Sequence, residues 1–129
     1  MNQFDVQFGE FLSTAVDYDV ALEHLKRSIS AICRSGRGVT YYYIGKGSGS
    51  NATQAIYRRY KNKKTDWELT EDWALFESTS EHLVSELEST LNDHYMRNDP
   101  NRCLNTGGGS AGRPSSQPNH YIYLALRRH

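Results

Sequence analysis

VTYYYIGKG, residues 39–47, is the most strand-like run in the chain, and the remaining elements are read outward from it. β-Branched and aromatic side chains pack well on a pleated surface, and Val39 to Ile44 has little else. Upstream, Ser35-Gly36-Arg37-Gly38 reads as a turn, because glycine reaches positive φ without a steric cost. Residues 28–34 (SISAICR) alternate in the manner of a strand, so residues 28–44 are predicted to form a β-hairpin. Before it, Asp17 or Asp19 caps a helix whose stripe of Val20, Ala21, Leu22 and Leu25 runs to about Lys26. Residues Phe4 to Thr14 carry no clear period.

Downstream, residues 45–51 (GKGSGSN) read as a flexible loop and residues 52–63 as a helix. A polar excursion over 64–71 leads to a third strand, WALFE at 73–77. Ser78 followed by Glu81 has capping-box spacing for a helix to about Tyr95. A loop rich in Asn, Gly, Ser and Pro over 98–119 ends at a last apolar strand, YIYLAL at 121–126. This predicts an α/β (α+β) fold in which a small central sheet of three to four strands is flanked by helices. One domain is expected over 1–129. Its core spans about 28–110, with a helical N-terminal extension (1–27) and a C-terminal loop and strand (111–129).

The chain has 129 residues and no net charge, but the signs are segregated. Residues 34–65 hold eight bases and no acid, residues 66–100 hold ten acids and one base, and residues 101–129 hold four bases and no acid. One face is therefore positive and suited to a phosphate backbone. No apolar run approaches the roughly 20 residues that span a bilayer, and the acidic start lacks a secretion signal, so a soluble, cytoplasmic protein is expected. Cys33 and Cys103 have neither disulfide-framework nor zinc spacing and read as reduced thiols. His82, His94, His120 and His129 show no ligand spacing, and Gly47 stands where a P-loop needs Ser or Thr.

Five segments in order, YYYIGKG (41–47), AIYRRYKNK (55–63), WALFE (73–77), SELESTL (85–91) and CLNTGGG (103–109), resemble the GIY-YIG nuclease family. YIGKG in particular is similar to the subgroup of ankyrin- and LEM-domain junction nucleases. The resemblance implies a hairpin whose second strand ends in YIG, a helix with a functional arginine, a third strand, and a helix with a metal-binding glutamate. A downstream asparagine, here Asn105, would brace the site. It implies cleavage of DNA with Mg²⁺ (or Mn²⁺); the hydropathy predicts no membrane partner, and a one-site cutter of both strands is expected to pair as a homodimer. The family's first strand carries its own tyrosine, and residues 30–33 have none. Tyr41, which shares a strand face with Tyr43, can replace it. So can a phenol from Tyr121-Ile122-Tyr123, or the site is impaired.

Helical phase chooses among duplicated residues. On the stripe of Leu83, Val84, Leu87, Leu91 and Tyr95, Glu88 lies roughly 70° from the centre and Glu86 roughly 130°, at about 100° per residue. Glu88 is therefore the expected metal ligand. Arg59 falls near the sheet side of residues 52–63 and is the expected phosphate clamp, held by paired hydrogen bonds. Tyr43 or Tyr41 is the expected general base, its phenol (ordinarily near about 10) lowered by Lys46 or Arg59. Arg58, Lys61, Lys63, Lys64, Asn105 and Arg113 are expected nucleic-acid contacts. The alternatives are a non-catalytic nucleic-acid-binding module of the same fold, or an interaction domain using the acidic face.

Overall fold

The computed structural model describes residues 7–8, 17–34, 38–57, 69–105 and 118–128. The described elements run β1 (Gln7–Phe8), α1 (Tyr18–Cys33), β2 (Val39–Gly49), α2 (described over 52–57), β3 (Glu71–Ser78), α3 (Glu81–Asn98) and β4 (Asn119–Arg128). They form a four-stranded sheet ordered β1-β3-β4-β2, in which β4 is antiparallel to both neighbours and β1 is parallel to β3. This is the small α+β fold expected, with α1 and α3 on one face and α2 on the other. Among the described residues no helix is long and apolar enough to cross a membrane.

The faces follow from the period of two along each strand. Tyr42 and Ile44 of β2 join Ile122, Leu124 and Leu126 of β4 beneath Ala21, Leu25 and Ile29 of α1 and Val84, Leu87 and Leu91 of α3. On the opposite face Tyr121, Tyr123 and Ala125 meet Ala52, Ala55 and Ile56 of α2, with Tyr41 and Tyr43 packed alongside. Six successive β4 residues, Tyr121 to Leu126, are buried. A strand covered on both sides needs apolar groups at every position, which explains the unbroken run.

Four sequence expectations are corrected. Residues 28–33 are not the first strand of a hairpin, because α1 continues through them to Cys33. The buried set Ala21, Leu25, Ile29 and Cys33 recurs every four residues, and this helical stripe overrides the short Ser-Ile-Ser alternation. The strand beside β2 is instead β4, in register Tyr43↔Ala125 and Gly45↔Tyr123. The core is accordingly not confined to 28–110: α1 is part of it, and the C-terminal strand lies in the middle of the sheet.

Residues 45–49 are not a loop either, since β2 continues to Gly49. Their glycines answer close approach. A Cβ on Gly45 would lie 2.4 Å from Cζ of Tyr123, and one on Gly47 would lie 2.7 Å from the Ala55 carbonyl oxygen. Finally, the N-cap of α3 is Ser80, whose side chain accepts from the Leu83 amide, while Ser78 accepts from the Ser80 amide instead of forming a capping box. Asp17 caps α1 as expected, accepting from the Val20 amide.

At the far end of the sheet Arg128 makes paired bonds to Glu71 (Nε to Oε1 3.0 Å, Nη2 to Oε2 2.9 Å), and Trp73 Nε1 donates to the same carboxylate at 2.6 Å. The Arg128 bonds hold the Glu71 carboxyl below its ordinary value of 4.5, against burial, with Trp73 assisting. A lowered folded value gives stability that is complete above the unfolded value and is lost as pH falls through the folded one. Glu71→Gln therefore costs about 1 kcal/mol at neutral pH. It also flattens the acid limb of stability below about pH 4.5, as measured by urea unfolding across pH. Gly45→Ala costs about 1–3 kcal/mol by overpacking against Tyr123. The double variant with Tyr123→Ala is less destabilised than the sum of the two singles, a coupling that a thermodynamic cycle measures.

Candidate functional site

α3 presents two kinds of surface. Its apolar stripe of Val84, Leu87, Leu91 and Tyr95 faces the sheet. Beside it, Glu81, Ser85, Glu88 and Asn92 recur at spacings of four, three and four, which places them on one flank. The opposite flank meets α1, where the Tyr18 hydroxyl bonds to Thr90 Oγ1. The polar flank is not a solvated one: Glu88 is 5% exposed and Asn92 2%.

Lys46 of β2 reaches this flank. It follows Gly45, pairs with Ile122 across the sheet, and so leaves β2 on the α3 face. Its Nζ donates to Ser85 Oγ at 3.0 Å and lies 3.5 Å from Glu81 Oε2, with the residue only 8% exposed. Glu88 stands three residues beyond Ser85 on the same flank. Phase thus separates the two acids as the sequence implied: Glu88 is buried, whereas Glu86 is exposed and pairs with His82 at 3.1 Å. Burying an ammonium and carboxylates costs more than an apolar seam of the same volume would, so such groups at one place mark a functional candidate.

A second group lies on the other face. The rings of Tyr43 and Tyr123 are 6.2 Å apart, and Tyr123 occupies the space above Gly45. Of the three phenols weighed to accompany Tyr43, Tyr123 is thus the one the sheet pairing brings beside it. Tyr41 packs against the same cluster. The Tyr121 phenol is pushed up by burial and by Glu77 beside it, which keeps it protonated. The middle tyrosine of the triplet, Tyr42, is on the α3 face and donates to Asp99 at 2.9 Å; burial and that carboxylate push its phenol far up, so it serves only as a donor.

Asn105 is tied by its side-chain amide to the backbone of β2. Its Oδ1 accepts from the Ile44 amide at 2.9 Å and its Nδ2 donates to the Ile44 carbonyl at 2.7 Å. Together with the Tyr42 amide to Arg102 carbonyl and Leu104 amide to Tyr42 carbonyl bonds, this closes the outer edge of β2 over residues 42–44. The side chain expected to contact nucleic acid thus holds the YIG strand in place. Arg58, Arg59, Lys61, Lys63, Lys64 and Arg113 lie outside the described residues.

The structure therefore gathers Lys46, Glu81, Ser85 and Glu88 on one face of the sheet and Tyr43 and Tyr123 on the other. Among the described residues no three His, Cys, Asp or Glu side chains converge as a metal cluster, and both cysteines are free and buried. A cleft of about 390 Å³ between the C-terminal ends of α1 and α3 is a weaker candidate, because its polar groups bond to one another. Asp99 holds Arg102 at 3.0 Å as well as Tyr42, and Arg102 Nη1 donates to the Cys33 carbonyl at 2.7 Å. Sequence reasoning missed Ser85, Glu81 and Asn92, which the spacing from Glu88 could have marked. The chain matches no protein-family model, no characterised protein and no solved structure.

Asn105→Ala strands the amide and carbonyl of Ile44 and costs about 1–3 kcal/mol. Hydrogen exchange at the Ile44 amide is expected to accelerate more than exchange at Leu124, in the middle of the sheet.

Proposed function

We propose that the protein is a divalent-metal-dependent endonuclease of the GIY-YIG type that hydrolyses DNA phosphodiester bonds. The observation that carries this reading is the buried polar flank of α3, where Glu88 lies beside the Lys46–Ser85–Glu81 group. The described donors there are oxygen atoms, with no imidazole or thiolate, which suits Mg²⁺ or Mn²⁺ better than zinc. When bound, such an ion supplies Lewis acidity toward a phosphoryl oxygen and the leaving group.

The chain's own residues have separate tasks in this reading. Glu88 holds the ion through its carboxylate. Lys46 offsets the negative charge of Glu81 and fixes the flank against β2. Tyr43, as the phenolate, takes the proton of the attacking water on Oη and becomes the neutral phenol, with Tyr123 packed beside it. Arg59 clamps the scissile phosphate, and Arg58, Lys61, Lys63, Lys64 and Arg113 contact neighbouring phosphates. Tyr43 and Lys46 leave one strand on opposite faces, so the phosphate must sit at the outer edge of β2, not over either face. The resemblance supports the reading further, because the strand paired with YIG does carry a tyrosine, although it is β4 that supplies it.

The separation of Tyr43 from Glu88 by the sheet favours a second reading, a module that binds nucleic acid without cutting it. Incubation of supercoiled plasmid, branched DNA and single strands with Mg²⁺ or Mn²⁺ distinguishes the two. The wild-type protein is expected to nick or cut. Glu88→Ala is expected to lose at least about 100-fold of that rate while retaining salt-sensitive binding. Binding without cutting by the wild type, or cutting unchanged in Glu88→Ala, would refute the hydrolytic reading.

A further inference from the structure

Asn92 is a buried polar residue that the endonuclease reading leaves unused. It is 2% exposed, and its Oδ1 has no hydrogen-bond partner among the described residues. A buried acceptor without a donor is costly to keep and is uncommon in folded proteins. Leucine at this place would extend the adjacent apolar stripe at no such cost. Asn92 lies four residues after Glu88, one turn further along the same flank of α3. An amide oxygen one turn from a buried carboxylate forms a pair of hard oxygen donors with complementary charge, one anionic and one neutral.

We propose that Asn92 Oδ1 is a second protein ligand to the divalent cation held by Glu88, so that the ion is gripped by an E-x-x-x-N pair on α3. The proposal rests on the endonuclease reading for the cation and goes beyond it in the donor set. A lone carboxylate holds Mg²⁺ through a largely hydrated shell. An added amide oxygen fixes the ion along the helix and satisfies an atom that otherwise has no partner. The same geometry explains why an asparagine, neutral at every working pH, stands where another carboxylate would repel Glu88 in the metal-free protein.

The test is Mn²⁺ binding to the full chain, read by electron paramagnetic resonance titration, with melting temperature in EDTA read in parallel. Glu88→Gln is expected to abolish the bound-Mn²⁺ signal. Asn92→Leu is expected to weaken binding about tenfold while the melting temperature in EDTA is unchanged or higher, because the unpartnered acceptor is gone. Asn92→Asp, which keeps an oxygen in place, is expected to bind at least as tightly as the wild type. Loss in Glu88→Gln with wild-type affinity in Asn92→Leu overturns the role of Asn92 and leaves the endonuclease reading standing. A fall in EDTA stability without any change in affinity does the same, by showing a structural amide. No Mn²⁺ binding by the wild type, or binding unchanged in Glu88→Gln, overturns both. Should Asn92→Leu fail to fold, Asn92→Asp decides alone: tight binding supports the proposal and loosened binding overturns it.

Discussion

The antiparallel pairing of β4 with both β2 and β3 is the interaction on which the rest of the molecule depends. The strand is the last of the described elements and lies in the middle of the sheet, so neither neighbour reaches the other without it. Its alternating residues found both cores: Ile122, Leu124 and Leu126 for α1 and α3, Tyr121, Tyr123 and Ala125 for α2. Because it joins residues some eighty positions apart, the sheet closes only after most of the chain is present. The fold is a non-local one despite its small size.

That pairing also dictates the composition of β2. A tyrosine at 123 lays its ring across the register partner, and only glycine at 45 leaves room. One residue on, the strand turns its next side chain to the other face, and Lys46 arrives at the polar flank of α3. The phenol pair and the buried ammonium are thus consequences of one register. A slip by one residue would exchange their faces and bury Lys46 against α2. The YIGK sequence, which looks like a strand running out into a loop, is better understood as a strand fitted to what crosses it.

Much of the architecture was legible in the sequence, and its failures share a physical cause. The apolar period marked α3, and phase alone told buried Glu88 from exposed Glu86. The unbroken YIYLAL run marked an apolar strand, but nothing local says which strands lie beside it or that both of its faces are covered. Residues 28–34 look like a strand because of a short local alternation, but the helical stripe of Ala21, Leu25, Ile29 and Cys33 prevails. Gly45, Gly47 and Gly49 were read as loop because the usual meaning of clustered glycine is conformational freedom. Here it is contact with Tyr123 and α2, which no single-sequence pattern contains. The site was half legible for the same reason: Glu88 and Lys46 could be named, but the bond from Lys46 to Ser85 is visible only once β2 and α3 are packed together. Asn105 was legible as a brace, although its partner, the backbone of Ile44, was not.

The polar flank of α3 is the place where stability alone gives a poor account of the sequence. A helix packed on a sheet has one stripe facing it and two flanks, and the flank toward α1 uses Thr90 with Tyr18 in ordinary fashion. The other flank buries Glu88 and Asn92 and is capped by a lysine taken from the sheet. Leucine and alanine in those places would give a tighter, drier seam. Lys46 bonds to Ser85 and lies beside Glu81, whose charge it offsets, while Glu88 and Asn92 follow further along the helix. Polar and charged groups that are costly to bury and are tied to the sheet by one lysine are what mark this flank as the functional candidate.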